Sequence, residues 1–350
     1  MKVLIVDDSI VFRSAIGHAL QDQNEITKVE KASNGKVALD MIRATNFDVI
    51  VLDIEMPVMD GIQTIEEIRK INTDIKIIVF SSVTTRGAEK TLKALELGAN
   101  EFQTKALEES DPQSAVDNIR KELLPKILAL NTKKTKRLGN KVDHQTESSY
   151  STKIPGFEHF KPDVISIGSS TGGPDALRTL ISGLKTELPI PMVIIQHMPE
   201  LFTKQLADSL NKDTPNKVKE AEDKEFLKPG HIYIAPGNYH LEIFKIGLNL
   251  VCSLNQKEKV CFVRPAVDVT YTALSKIEHL KTLAIILTGM GKDGTEGAKK
   301  LKKSGNPVII QDEKSSSVWG MPGNIYENNL QDAIIQIQDM SSIINDIIKD

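Results

Sequence analysis

Short apolar runs alternate with amphipathic stretches over roughly the first third of the chain. Apolar residues at helical spacing predict five helices, at 12–20, 37–44, 62–71, 88–97 and 114–130. Runs rich in aliphatic residues predict five strands, at 3–6, 27–32, 49–52, 75–80 and 101–104. Strands and helices that alternate at this rhythm indicate a parallel sheet, so we predict an α/β fold of (βα)5 topology here.

The same alternation resumes at Asp163 and continues to the end of the chain. Further strands are predicted at 164–167, 192–196, 231–235, 241–245, 248–254, 282–287 and 308–311. Helical spacing appears at 175–184, 199–210 and 294–303 and in a final amphipathic stretch near 331–349. This part therefore predicts a second α/β domain with a mostly parallel sheet.

A stretch with few aliphatic residues and no sustained period separates the two patterns. It contains the basic run TKKTKR at 132–137, which is typical of a solvated linker. We therefore predict a first domain at 1–125, a linker at 126–161 and a second domain at 162–350. The basic linker could serve for docking or only as a solubilising spacer, and the sequence leaves both open.

Composition narrows the class of protein. The chain is 40% hydrophobic and 26% charged, which is typical of a globular protein, and it contains no apolar run near the ~18 residues that cross a bilayer. Its two cysteines, Cys252 and Cys261, provide no disulfide framework or zinc motif, so we expect a cytoplasmic protein. With a net charge of −3 and no helix-turn-helix pattern, we expect neither nucleic-acid binding nor membrane insertion.

Carboxylates follow two of the predicted strands in the first domain. Asp7 and Asp8 end the first strand and Asp53 ends the third. The carboxyl ends of parallel strands meet at one edge of a sheet, where ligands gather. Three carboxylates brought together repel one another, and a hard divalent cation such as Mg²⁺ relieves that repulsion. We therefore predict a magnesium site formed by these three residues.

A hydroxyl and a cation face the same edge. Ser81 ends the fourth strand and Lys105 ends the fifth, which suits the binding of a phosphoryl group carried by Asp53. Taken singly, each residue also has an ordinary explanation, since an Asp after a strand often caps a helix and a Lys is usually solvated. The prediction rests on their combination.

This combination resembles the receiver domain of two-component response regulators. The resemblance covers residues 1–125 and rests on the motifs VDDS at 6–9, LDIEMPVMDG at 52–61 and TK at 104–105. It implies that a histidine kinase phosphorylates Asp53, that Asp7 and Asp8 bind Mg²⁺ with Asp53, and that Lys105 contacts the phosphate. It also implies that Ser81 is the switch hydroxyl and Phe102 the switch aromatic.

The sequence departs from the receiver pattern at one position. Ala106 follows Lys105, whereas receivers usually have a proline there in a cis peptide bond. A cis bond before a non-proline residue costs about 2.5–4 kcal/mol, against about 0.5–1 kcal/mol before proline. We therefore predict a trans Lys105–Ala106 peptide.

The second domain opens with a glycine- and serine-rich turn, GSSTGGP at 168–174, between a strand and a helix. Free N–H groups at such a helix N-terminus can receive an anion, so a phosphate cradle is one interpretation. The turn lacks the lysine of a GK[ST] motif and does not match GxGxxG. The letters at 168–172 do fit the G-x-S-x-G pattern of a nucleophilic serine.

A nucleophilic serine requires a base and an orienting acid. His197 ends a predicted strand and Asp293 follows the turn after another, so both would lie at the same sheet edge as the serine. His197 could equally be an ordinary hydrogen-bonded histidine and Asp293 a helix cap. The chain order of serine, histidine and acid also differs from that of α/β-hydrolases, which disfavours that fold.

Residues 163–350 resemble the catalytic domain of the chemotaxis protein-glutamate methylesterases. Six ordered motifs carry the resemblance: IGSSTGG at 167–173, QHMP at 196–199, IAPG at 234–237, RPAVD at 264–268, LTGMGKDG at 287–294, and QDE to GMP at 311–322. The resemblance implies Ser170, and not Ser169, as the nucleophile, His197 as the base and Asp293 as its orienter. It also implies that the Met290 N–H is an oxyanion donor.

The same resemblance implies a substrate and a mode of control. The substrates would be glutamyl methyl esters, and glutamine side chains, on methyl-accepting chemoreceptors, hydrolysed with no cofactor. The unphosphorylated receiver would cover the catalytic cleft, and phosphorylation would move it away. Two alternatives remain open: a response regulator whose output domain binds a partner without catalysis, and a hydrolase of small-molecule esters.

Overall fold

A computed structural model describes residues 1–21, 23–105, 112–131 and 159–349 of the chain. The Lys105–Ala106 peptide, predicted to be trans, and most of the predicted linker lie outside these residues. Among the described helices, none is long and apolar enough to span a bilayer.

The first domain is a five-stranded parallel sheet in the order β2-β1-β3-β4-β5 with helices between the strands, as predicted. The strands are β1 (Lys2–Val6), β2 (Lys28–Ala32), β3 (Val49–Asp53), β4 (Lys76–Ser81) and β5 (Glu101–Thr104). The helices are α1 (Ile10–Leu20), α2 (Gly35–Ala44), α3 (Gly61–Ile71), α4 (Thr85–Glu96) and α5 (Pro112–Leu130). All of β3 is buried, because helices cover both faces of the sheet.

The second domain is built on a seven-stranded parallel sheet in the order β14-β13-β12-β6-β7-β9-β8, beside an antiparallel β10-β11 hairpin. Its strands are β6 (Val164–Ser169), β7 (Met192–Gln196), β8 (Lys217–Glu220), β9 (His231–Ile234), β10 (His240–Ile246), β11 (Asn249–Asn255), β12 (Thr282–Ile286), β13 (Val308–Gln311) and β14 (Ala333–Ile335). Its helices are α6 (Gly173–Ser182), α7 (Phe202–Leu210), α8 (Val267–Leu274), α9 (Thr295–Lys303), α10 (Met321–Glu327) and α11 (Ile337–Lys349). The predicted fold class is thus confirmed for both domains.

Two boundaries differ from the sequence prediction. Helix α5 ends at Leu130, as the predicted helix at 114–130 does, and so extends five residues into the predicted linker, because Ile127 and Leu130 are buried in the first domain's core. The single helix predicted near 331–349 is wrong at its start, where residues 333–335 form β14. There the backbone of Ile334 pairs with Ile310 at the sheet edge, and a three-residue strand is too short to break the apolar period.

The two domains pack against each other through β5 and α4 of the first domain and α6 and α7 of the second. The ring of Phe102 stacks on that of Phe202, with centroids 4.9 Å apart, and both side chains are buried. Beside this stack, Glu96 accepts hydrogen bonds from Arg178 Nη2 and Ser209 Oγ, each at 2.9 Å. An aromatic contact and a charged contact therefore join the domains.

Candidate functional site

The three predicted carboxylates of the first domain lie together at the carboxyl edge of its sheet. Oxygens of Asp7, Asp8 and Asp53 all fall within 4.8 Å of one another, and Asp7 and Asp53 are buried. Asp7 Oδ2 accepts no hydrogen bond within the described part of the chain, although Lys105 Nζ lies 3.1 Å away. A clustered, under-satisfied set of carboxylate oxygens fits a divalent cation such as Mg²⁺.

Lys105 reaches into the same cluster, with its Nζ 2.8 Å from Asp53 Oδ2. Burial raises the pKa of Asp53 above its usual range, even though the bond to Lys105 works in the opposite direction. Burial lowers the pKa of Lys105, but its pairs with Asp53 and Asp7 outweigh this and raise it. Lys105 is therefore held as a cation beside the Asp53 carboxylate.

The two predicted switch residues occupy separate places. Ser81 is buried at the end of β4 and donates a hydrogen bond to the Gly87 carbonyl of α4. Its side chain lines the cavity of about 300 Å³ that also contains Asp53 and Lys105. Phe102 faces away from that cavity and lies in the contact between domains. The structure thus links the acidic pocket to the interdomain contact through neighbouring strands β4 and β5.

The two serines of the second domain differ in their surroundings. Ser169 is fully buried, and its hydroxyl donates to Gln196 Oε1 at 2.6 Å. Ser170 is partly exposed and lines a cavity of about 820 Å³. Only Ser170 is therefore open to a substrate.

His197 and Asp293 form a hydrogen-bonded pair on the wall of the same cavity. His197 Nε2 lies 2.7 Å from Asp293 Oδ2, and the side chains are 9% and 2% exposed. Asp293 also accepts backbone N–H bonds from Val267, Asp268 and Gly294. Burial raises its pKa, but the bond to His197 and these N–H groups outweigh burial and hold it below its usual range. Asp293 is thus fixed as a carboxylate that orients the imidazole.

The turn that contains Met290 lies directly against Ser170. A Cβ added to Gly289 would lie 2.9 Å from Ser170 Cβ, so glycine permits this close approach. The Ser170 N–H donates to the Thr288 carbonyl in the same turn. Within the described residues, the Met290 N–H has no hydrogen-bond acceptor, so it is available to an oxygen in the cavity.

Gln196 has a role in the site that the sequence did not indicate. Its buried amide nitrogen donates to the carbonyls of Ser170 and His197, at 3.0 and 3.2 Å, while its oxygen accepts from Ser169. One side chain therefore ties the serine turn to the end of the histidine strand. The only sequence signal was its place in the motif QHMP at 196–199.

A second carboxylate, Asp268, was also missed as a titratable neighbour of the site. One of its oxygens accepts from the Gly297 N–H, and a carboxylate oxygen lies within 4.8 Å of one of Asp293. Burial, with the charges of Asp293 and Glu296, raises the pKa of Asp268 to about 6. Asp268 thus ionises close to neutral pH, next to a permanent carboxylate.

We expect Asp268→Asn to change how stability depends on pH. The pKa of Asp268 is 3.8 in the unfolded chain and about 6 in the native protein. Between these two pH values the native protein keeps a proton that the unfolded chain has lost, so stability falls as pH rises through this window. Ionised Asp268 then costs about 2–3 kcal/mol at neutral pH, and the variant escapes that cost. Urea unfolding at pH 4 and pH 7 can be followed by the single tryptophan, Trp319, in this domain. Equal pH dependence in both proteins would contradict the expectation.

Comparison with known proteins agrees with this architecture. The family model "Response regulator receiver domain" matches residues 3–117, and the model "CheB methylesterase" matches residues 165–344. A protein-glutamate methylesterase/protein-glutamine glutaminase of Trichodesmium erythraeum is 36% identical over 98% of this chain and 97% of its own length. One of the same name from Halalkalibacterium halodurans is 39% identical over 97% of this chain and 95% of its own.

A solved structure agrees as well. The Thermotoga maritima CheB methylesterase catalytic domain superimposes with a TM-score of 0.51 and 42% identity, and the match covers 54% of this chain and 98% of that one. The long sequence matches extend over both domains and the region between them. The chain therefore belongs to the CheB methylesterase family and joins a response regulator receiver domain to a methylesterase domain.

Proposed function

We propose that this protein is a phosphorylation-regulated methylesterase that hydrolyses glutamyl γ-methyl esters on methyl-accepting chemoreceptors in the cytoplasm, and that it also deamidates glutamine side chains there. The observation that carries the proposal is the buried His197–Asp293 pair on the wall of the cavity that Ser170 also lines. The names of the relatives support the ester and amide substrates.

The chemistry follows from the hydrogen bonds of the site. His197 Nε2 is engaged by Asp293, so Nδ1 is the nitrogen left to accept the Ser170 proton. The serine oxygen then forms a bond to the γ-carbonyl carbon, and the bond from that carbon to methoxide breaks as His197 returns the proton to give methanol. Water repeats the sequence on the acyl-enzyme and releases glutamate and free Ser170. With a glutamine substrate the leaving group is ammonia.

An oxyanion forms in both steps, and the Met290 N–H is our candidate donor. Its position in the turn against Ser170 and the absence of an acceptor for it among the described residues support this role. No cofactor enters the ester hydrolysis, because the serine, histidine and acid supply nucleophile, base and orienter.

We further propose that Asp53 takes a phosphoryl group from a chemotaxis histidine kinase. Asp7, Asp8 and Asp53 would hold Mg²⁺, which neutralises charge on the incoming phosphate. The P–N bond of the phosphohistidine breaks as a bond to an Asp53 oxygen forms, and Lys105, 2.8 Å from that carboxylate, offsets the added negative charge.

Asp53→Asn is expected to abolish stimulation of the esterase by acetyl phosphate, because the amide cannot form the acyl phosphate. Methanol release with and without acetyl phosphate and Mg²⁺ measures this. Glu55→Gln is a matched control, since Glu55 lines the same cavity but pairs with Lys90. Stimulation that persists in Asp53→Asn would place the phosphorylation elsewhere.

We also propose that the receiver restricts access to the catalytic cavity. Residues of the receiver form one wall of that cavity, among them Phe102, Thr104 and Lys126, opposite Ser170 and His197. Phosphorylation at Asp53 would engage the Ser81 hydroxyl and shift β5. This shift would loosen the Phe102–Phe202 stack.

Methylated chemoreceptor membranes test the proposed function. The protein should release methanol and leave glutamate at the modified positions, as identified by mass spectrometry of receptor peptides. A protein that hydrolyses only small esters would support the small-molecule alternative. A protein that binds receptor but releases nothing would support a non-catalytic output domain.

A further inference from the structure

A strained turn at residues 260–263 stands at the mouth of the catalytic cavity. Val260 and Val263 exchange two backbone hydrogen bonds, of 3.2 and 3.0 Å, and so close a two-residue turn. The two residues at its tip, Cys261 and Phe262, have φ values of 51° and 66°, a left-handed conformation that favours glycine and asparagine. A turn that holds two unfavourable residues needs support from its surroundings.

Arg264 supplies that support. Its Nη1 donates to the carbonyls of Gln256 and Lys257, and its Nη2 donates to Asn238 Oδ1, all within 2.8 Å. The guanidinium thus connects the turn to the chain that precedes it and to a neighbouring loop. The turn is therefore a fixed element.

The turn lies close to the proposed chemistry. A carboxylate oxygen of Asp293 lies within 4.8 Å of Cys261 Sγ, and both residues line the cavity with Ser170. Phe262 lines this cavity too, yet the residue is 93% exposed. The fold thus holds the Phe262 ring in solvent. The thiol of the preceding residue, Cys261, lies close to Asp293, the orienting acid.

The charges around this mouth favour an acidic partner. On the methylesterase domain the charged residues of the cavity are Lys259, Arg264 and Lys292, against Glu200 and Asp293. Asp293 is committed to His197, and Arg264 to backbone and amide oxygens. Lys259 and Lys292 are exposed and form no ion pair within the described residues, so two cations face one carboxylate.

We propose that the turn at 260–263 is the docking element for the receptor segment, with Phe262 against an apolar side chain beside the modified glutamyl group and Lys259 and Lys292 near carboxylates that flank it. This rests on the proposed function. Each turnover leaves a glutamate on the receptor, so a segment with several modifiable positions gains negative charge that these lysines complement. An exposed aromatic on a rigid support is the kind of residue that anchors a peptide.

Phe262→Asn tests the proposal without removing the turn, because asparagine tolerates the left-handed conformation. We expect the ratio of kcat/KM for methylated receptor membranes to that for N-acetylglutamate γ-methyl ester to fall by about 10-fold or more, mainly through KM. Phe262→Tyr should restore the ratio. Leu248→Asn is the matched control, since Leu248 is also 93% exposed but lies outside the cavity.

The outcomes separate this inference from the proposed function. If wild-type protein releases methanol from receptor and Phe262→Asn keeps the wild-type ratio, the docking role is refuted while the proposed function stands. If wild-type protein releases no methanol from receptor, the proposed function itself fails. Lys259→Gln should also lower the ratio and weaken its dependence on salt, and an unchanged salt dependence would refute the charge contribution. Urea unfolding followed by Trp319 fluorescence checks that each variant is folded.

Discussion

Ser170→Ala is expected to lower kcat for ester hydrolysis by about 10³-fold or more, because the residues of such a site act as a unit and the other two cannot replace the nucleophile. The loss should appear in kcat with little change in KM, since the serine hydroxyl contributes little to substrate binding. Methanol release from methylated receptor and hydrolysis of N-acetylglutamate γ-methyl ester measure it independently. Full activity in the variant would reassign the nucleophile.

The neighbouring serine provides the control. Ser169→Ala removes a buried hydroxyl that donates to Gln196 and does not reach the cavity. We expect it to lower activity by less than about 10-fold, through the loss of one hydrogen bond that helps to position the turn. A larger loss in Ser169→Ala than in Ser170→Ala would reverse the assignment.

Removal of residues 1–131 is expected to raise basal hydrolysis of methylated receptor by about 10- to 100-fold. The receiver forms a wall of the catalytic cavity, and only the minor population in which it has moved away would admit a receptor segment. A structure of the corresponding domain alone, from Thermotoga maritima, supports independent folding of the remaining part. A truncated protein no faster than the intact, unphosphorylated one would argue against cover as the mode of inhibition.

The Glu96–Arg178 ion pair between the domains provides a second test of whether the receiver inhibits by covering the cavity. Glu96→Arg should raise basal activity about 2- to 3-fold, because it replaces a partly exposed pair of modest strength with a repulsion of Arg178. Combining it with Arg178→Glu should bring activity back toward the intact level. If Glu96→Arg leaves basal activity unchanged, the Glu96–Arg178 contact does not contribute to the stability of the closed state.

Much of the fold could be predicted because each element carries its own local pattern. The strand predicted at 49–52 is a continuous apolar run followed by Asp53, and the structure confirms it as β3, buried at the centre of its sheet. Strand β14 escaped prediction because its pairing with β13 is not encoded in three apolar residues that continue the period of α11. Parallel pairing is a long-range contact, and a local pattern does not report it.

The candidate site, like the fold, could be predicted from the sequence only in part. Ser170, His197 and Asp293 each follow a strand, so the rule that ligands gather at the carboxyl edge was enough to group them. The family resemblance selected Ser170 over Ser169, but no local pattern showed that Ser169 is buried and Ser170 accessible, since the difference depends on the partner Gln196. Nor could it show the turn at 260–263 beside Asp293, since no local pattern brings Cys261 close to that acid.

The most direct test of Ser170 as the nucleophile and His197 as its base is covalent labelling with a fluorophosphonate, with the modified residue identified by tandem mass spectrometry. We expect the label to attach to Ser170 alone and His197→Gln to abolish labelling, because the imidazole must accept the serine proton. Label on Ser169 or on another side chain, or labelling that persists without His197, would contradict this expectation.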